Sequence, residues 1–278
     1  MARPFSSNDA KRLLEWHHKT IEKLRLTESS TEGYREKVKE ASDALVAQEV
    51  LKVLQDIPIE EINRDKQGFR VKALREYGYR TIADIASVSV YSIASVHGIS
   101  EDTAYSIKRI VNDIVSKARQ GIKIRLSTDN RSKEATELVL ALSQYRRSLS
   151  VADDSRKLLS ANAQQISYAE EDLNAALGGI KWFFASKAKK AKAVEAFHLL
   201  SSLKDSEYGR NADVQFDIAD KIARAQGSDA WQDFSNNPVR FFNDLEDINP
   251  GVLGNDDSMY GLPEDLAREI QEECFFPD

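Results

Sequence analysis

The amino-acid sequence predicts an all-α fold, a helical bundle, and three observations lead there. Apolar residues recur at three- and four-residue spacing through most of the 278 positions. Alternating apolar and polar runs, the mark of half-buried strands, are essentially absent. Capping and breaking residues such as Ser7 and Pro58 bound the periodic stretches, and Gly178-Gly179 should break or kink the one that contains it.

The elements follow in order. Ser7 or Asn8 caps a segment with Ala10, Leu14, His17, Ile21 and Leu24 on one face. A polar stretch at 27–31 reads as a turn into a longer helix carrying Tyr34, Val38, Ala41, Leu45, Val50 and Leu54, which Pro58 ends. Residues 1–60 are thus expected to form an antiparallel helical hairpin. Residues 61–126 hold short apolar helices punctuated by glycine turns, ending in the brief extended piece Gly121-Ile-Lys-Ile-Arg-Leu. A long-helix bundle is expected over 127–204, with Ala135, Leu138, Val139 and Leu142 on one helix and Leu159, Ile166, Leu173 and Leu200 further on. Gly178-Gly179 should break it, each glycine costing about 1 kcal/mol in a helix interior. Residues 205–278 read as shorter helices in an acidic region leading toward a further C-terminal domain.

The chemistry concentrates in the glycine turns. Val96-His97-Gly98-Ile99-Ser100 leads into a helix that Ser100 caps, with Glu101 and Asp102 in its first turn and Ala104 and Ile107 facing inward. Gly98 supplies a tight turn where a side chain would obstruct an approaching phosphate. Backbone N–H groups at such a helix start are a ready anion site. The carboxylates of Glu101 and Asp102 oppose an anion there. Gly78-Tyr79-Arg80-Thr81 forms an earlier, more degenerate copy of the same turn.

Ile93, Val96, Gly98, Ile99, Ser100, Ala104 and Ile107 occupy the positions of an apolar-x-Gly-apolar-Ser hairpin followed by a helix with alanine four residues on. This pattern resembles the helix-hairpin-helix family of DNA-binding modules. Residues 63–118 look like a paired unit, similar to the N-terminal domain of strand-exchange recombinases and to the DNA-binding parts of branch-migration and excision-repair proteins. The resemblance implies non-sequence-specific DNA binding through hairpin amides and flanking cations. The nucleic-acid-binding residues expected on that basis are Arg75, Gly78, Tyr79, Arg80, Thr81, His97, Gly98, Ile99, Ser100, Lys108 and Arg109.

Charge supports the same partner. From 61 to 126 twelve Lys and Arg face seven Asp and Glu, a net of +5, whereas 205–278 carries five basic and eighteen acidic residues, a net of −13. The overall −6 conceals both. Such cations give salt-dependent backbone binding that carries no base information. A capped glycine turn also serves helical protein-interaction modules. An interaction or autoregulatory role without direct DNA contact is therefore the alternative expectation.

Other classes find little support. Cys274 is the only cysteine, so no disulfide forms within the chain and a cysteine-based zinc site is implausible. No apolar run approaches the roughly 20 residues that span a bilayer, so a cytoplasmic protein without membrane partners is expected. Gly178-Gly-Ile-Lys-Trp is not a phosphate loop, because no hydroxyl residue follows its lysine. The histidines show no metal-ligand spacing, and Asp244-Leu-Glu-Asp lacks the alternating oxygen ligands of a calcium loop. Lys181-Trp-Phe-Phe-Ala-Ser-Lys-Ala-Lys-Lys-Ala-Lys interleaves aromatics with lysines, but helical spacing predicts core packing for its aromatics and a solvated lysine face. No catalytic residue, metal or cofactor is expected in the chain.

The segment 261–278, with paired aromatics at Phe275-Phe276, resembles the lead-in to the helicase core of bacterial Swi2/Snf2-class helicases. That resemblance implies the N-terminal, non-catalytic region of an ATP-dependent DNA helicase or translocase. ATP and Mg would then bind only beyond Asp278, and the helicase core itself would be a partner.

Overall fold

The computed structural model describes residues 4–129 and 131–253, and among them the chain is all-α. Eleven α-helices follow one another: α1 (Ser7–Asp56), α2 (Val71–Tyr77), α3 (Ile82–Ala86), α4 (Val90–Ala94), α5 (Glu101–Gly121), α6 (Lys133–Ala176), α7 (Gly179–Phe184), α8 (Lys187–Asp205), α9 (Glu207–Ala223), α10 (Gly227–Asn236) and α11 (Pro238–Ile248). A 3-10 helix, Ile59–Asn63, separates α1 from α2. Among the described residues no helix is long and apolar enough to cross a membrane. The segment 261–278 and Cys274 lie outside the described residues.

The hairpin expected over 1–60 is instead one continuous helix of 50 residues. The hydroxyls at the anticipated turn bond back along the helix rather than breaking it. Thr27 Oγ1 donates to Lys23 O at 2.9 Å, Ser29 Oγ to Leu26 O at 3.1 Å and Ser30 Oγ to Thr27 O at 2.7 Å. Likewise the helix expected to carry Ala135 to Leu142 and the stretch expected further on, from Leu159 to Leu173, are the single helix α6. The break at Gly178-Gly179 does occur, between α6 and α7, with Gly178 at φ +106°.

The described chain divides into two compact units, residues 4–37 with 140–233 and residues 38–139 with 234–253. In the first, Leu13 and Leu24 of α1 bury against Ile166 and Leu173 of α6, Leu200 of α8 and Tyr208 of α9. Phe5 closes this core, stacked on Phe197 at 4.4 Å between ring centroids. Gly209 is required there, because a Cβ would come within 2.0 Å of Lys204 O, a backbone atom that cannot give way.

His17 is fully buried in this core, with Nε2 2.9 Å from Leu200 O. Burial holds its pKa below the usual 6.5, against the opposing pull of that hydrogen bond. The unfolded chain therefore binds the proton more readily than the folded one. Stability is fully present above 6.5 and is lost as pH falls from there toward the depressed folded value. His17→Gln keeps a donor for Leu200 O and removes the titration. Its melting temperature is expected to vary less between pH 7 and pH 5 than that of the parent chain, by the equivalent of about 1 kcal/mol per pH unit of the window. Parallel melting curves for the two proteins would contradict this.

The second unit carries the glycine turns. Its buried apolar residues include Val46, Val50 and Leu54 of α1, Ile59, Leu74, Ile82, Ile93, Ile107 and Val111, and Phe241, Phe242 and Leu245 of α11. Phe234 meets Phe241 and Phe242 edge-on at 5.5 and 5.8 Å. Beyond α5 the chain turns extended, and Ile124 pairs with Leu253 in an isolated parallel bridge. Ile124 N–H donates to Val252 O at 2.9 Å and Lys123 Nζ to Gly251 O at 2.6 Å, so the extended piece after α5 is held by residues 251–253.

Candidate nucleic-acid interface

Two helical hairpins follow each other along the second unit. The first joins α2 to α3, the second α4 to α5, and α5 packs against both α3 and α4. Ile82, Ile85, Ile93, Val96, Ile99, Ala104 and Ile107 bury between them. Their spacing, apolar on one face of helices too short to be stable alone, is why these five- to seven-residue helices exist only as a packed set.

The first hairpin closes on itself. Gly78 ends α2 in the left-handed region, φ +118°, and its N–H donates to Arg75 O at 3.1 Å. Tyr79 N–H donates to Leu74 O at 3.0 Å. The Asp84 carboxylate then accepts from Arg80 N–H at 2.7 Å and Thr81 N–H at 2.9 Å, completing a capping box with the Thr81 side chain. The amide bond from Arg80 is the main reason that Asp84 titrates below the usual carboxylate range. Ile82 N–H donates to Ile57 O at 3.0 Å. Asp84 thus sits where an incoming phosphate oxygen would have to bind. Arg75 pairs with Glu60 at 2.9 Å, Tyr79 lies half-buried with its ring 5.4 Å from that of Tyr77, and Arg80 is exposed.

The second hairpin stays open. Gly98 has φ +82°, and Ile99 N–H donates to Val96 O at 3.0 Å to close the turn. Ser100 caps α5, its side chain accepting from Thr103 N–H at 3.2 Å. The N–H groups of His97, Gly98, Ser100, Glu101 and Asp102 have no partner among the described residues. His97, Gly98 and Ser100 are exposed, while Ile99 is buried and anchors the turn. Glu101 and Asp102 are exposed at the start of α5.

Two cations are placed where the sequence does not lead one to look. Arg70, at the start of α2, lies against the second hairpin, not the first. A Cβ built on Gly98 would come within 2.4 Å of its Nη1, and no carboxylate pairs with it among the described residues. Its neighbours in sequence align it with the first turn, and only the packing of α2 beside residues 96–98 reveals its place. Lys108 moves the other way. Expected on the phosphate face, it points inward and donates to Ile85 O at 3.0 Å, Ala86 O at 2.8 Å and Val88 O at 2.8 Å. It caps the C-terminus of α3, and burial pulls its ammonium below the usual lysine pKa. Arg109, one position on, is exposed.

Tandem short helices joined by glycine hairpins, the second with open amides beside an arginine, define a helix-hairpin-helix module. Residues 69–113 match the family model of the SAM-like helix-hairpin-helix tandem, inside the 63–118 span read from the sequence. Neither a curated protein nor a solved structure gives a significant match to the chain.

Proposed function

We propose that the chain binds DNA through its sugar-phosphate backbone, independently of base sequence, with the second hairpin as the amide contact. The carrying observation is the set of five unpartnered N–H groups over 97–102 beside the Arg70 guanidinium. Arg70, Arg80 and Arg109 supply the charge. The first hairpin, its amides held by Asp84, contributes Arg80 and the scaffold. Lys108 holds α3 in place and makes no phosphate contact. The further role, as an accessory region delivering DNA to an ATP-driven helicase or translocase motor, rests on the likeness of residues 261–278 alone.

Fluorescence anisotropy with unrelated duplexes of equal length tests the binding reading. Affinity is expected to be the same for each sequence. Three phosphate contacts predict a fall of about 40-fold between about 50 and about 200 mM salt, each contributing a slope of about −0.9. The Arg70→Ala, Arg80→Ala, Arg109→Ala triple variant should flatten that slope. Binding that ignores salt, or that survives the triple substitution unchanged, would sink the proposal.

A further inference from the structure

The aromatic segment 180–184 does not pack as its spacing predicts. Ile180, Phe183 and Phe184 are 79, 76 and 79% exposed, so three large apolar side chains of one six-residue helix stand in solvent. Only Trp182 turns inward, meeting the Phe5 ring edge-on at 5.9 Å. The reason is the glycine pair. It ends α6 and restarts the chain at Gly178 with φ +106°, so the rotation of α7 follows from its one anchored indole and not from the register of α6.

Lys181 lies within this tip, and Lys187, Lys189, Lys190 and Lys192 follow in the first turns of α8, none with an ion pair to a carboxylate among the described residues. Such a concentration of like charge opposes self-association through this face and calls for a polyanion. The Phe183 and Phe184 rings lie 5.3 Å apart at an interplanar angle of 85°. Lys190 Nζ sits 5.9 Å from the Trp182 ring centroid and donates to Phe183 O at 3.4 Å, which puts an ammonium at the foot of the exposed rings. Aromatic faces open to solvent beside lysines are the elements of single-strand binding, in which bases stack and lysines follow the phosphates. The bases of a duplex are already stacked and paired, so only those of an unpaired strand can stack on these rings.

We propose that α7 and the first turns of α8 form a surface for unpaired, single-stranded nucleic acid, separate from the hairpin module and located in the other unit. The proposal does not depend on the hairpins binding duplex. The test compares the full chain with Phe183→Ala/Phe184→Ala and with the Arg70/Arg80/Arg109 alanine variant, using labelled oligothymidine and a blunt duplex. Loss of two stacking platforms is expected to lower oligothymidine affinity about tenfold or more while duplex affinity holds. The arginine variant should do the reverse. Both phenylalanines are exposed, so the melting temperature should not move. Oligothymidine binding that is indifferent to the phenylalanines overturns the proposal. If sedimentation with phosphatidylserine vesicles then depends on them instead, the surface is a lipid contact.

Discussion

Gly98→Val is expected to weaken duplex DNA binding by at least about tenfold, the equivalent of roughly 1.4 kcal/mol. Two effects combine. The turn holds Gly98 at φ +82°, where a β-branched residue pays about 1–2 kcal/mol or shifts the backbone, and a shifted backbone re-aims the open amides on either side. The new side chain would also meet Arg70 Nη1 at 2.4 Å, driving the guanidinium from the amides that it flanks. Gly78→Ala is the control. Gly78 has φ +118° but open space where the Cβ would go, and the amides beside it are already bound to Asp84 and to the end of α2. That substitution should cost stability and leave DNA affinity within about twofold, since it removes no phosphate contact. Arg70→Ala separates side-chain from backbone effects without touching the turn. Equal losses from Gly98→Val and Gly78→Ala would remove the distinction between an open and a closed hairpin.

Lys108→Met is expected to destabilise the second unit by about 2–3 kcal/mol, with DNA affinity of the folded protein unchanged. The ammonium serves three carbonyls at the end of α3, and methionine fills the same channel without a donor. Ile85 O also accepts from Val88 N–H at 3.4 Å, so two carbonyls lose their donor at about 1–3 kcal/mol each, and partial access of water at this half-buried site keeps the sum near the low end. Lys108→Arg should not rescue fully, because a planar guanidinium cannot converge on three oxygens as a tetrahedral ammonium does. Thermal melts and anisotropy on the same samples decide the matter. A lysine that contacts phosphate would show the opposite pattern: an unmoved melt, weaker binding and a salt slope reduced by about one unit.

These two residues mark the limit of what the sequence makes legible. The hairpin around Gly98 is readable because its determinants are local. Val96, Gly98, Ile99, Ser100 and Ala104 lie within nine positions, and each acts on the backbone of its neighbours. The capping box at Thr81 and Asp84 is equally local, yet its consequence is not, since only the hydrogen-bond geometry shows one carboxylate spanning two amides. Lys108 and Arg109 are adjacent cations with the same composition signal. One faces the end of α3, 20 to 23 residues away in sequence, and the other faces solvent.

The helical class and the existence of paired hairpins were determined by the sequence alone, because periodicity, caps and left-handed glycines act over a few residues. Three matters were decided only by tertiary structure. The polar stretch at 27–31 continues α1, since serine and threonine hydroxyls can bond back to a helix as readily as they open a turn. The aromatic tip at 180–184 stands in solvent, since apolar spacing gives a face but not what lies opposite it. The hairpins divide into one closed and one open, since a hydrogen bond is short-ranged and directional. Which amides remain for a phosphate depends on where a carboxylate three residues on, and an arginine 28 residues back, come to rest.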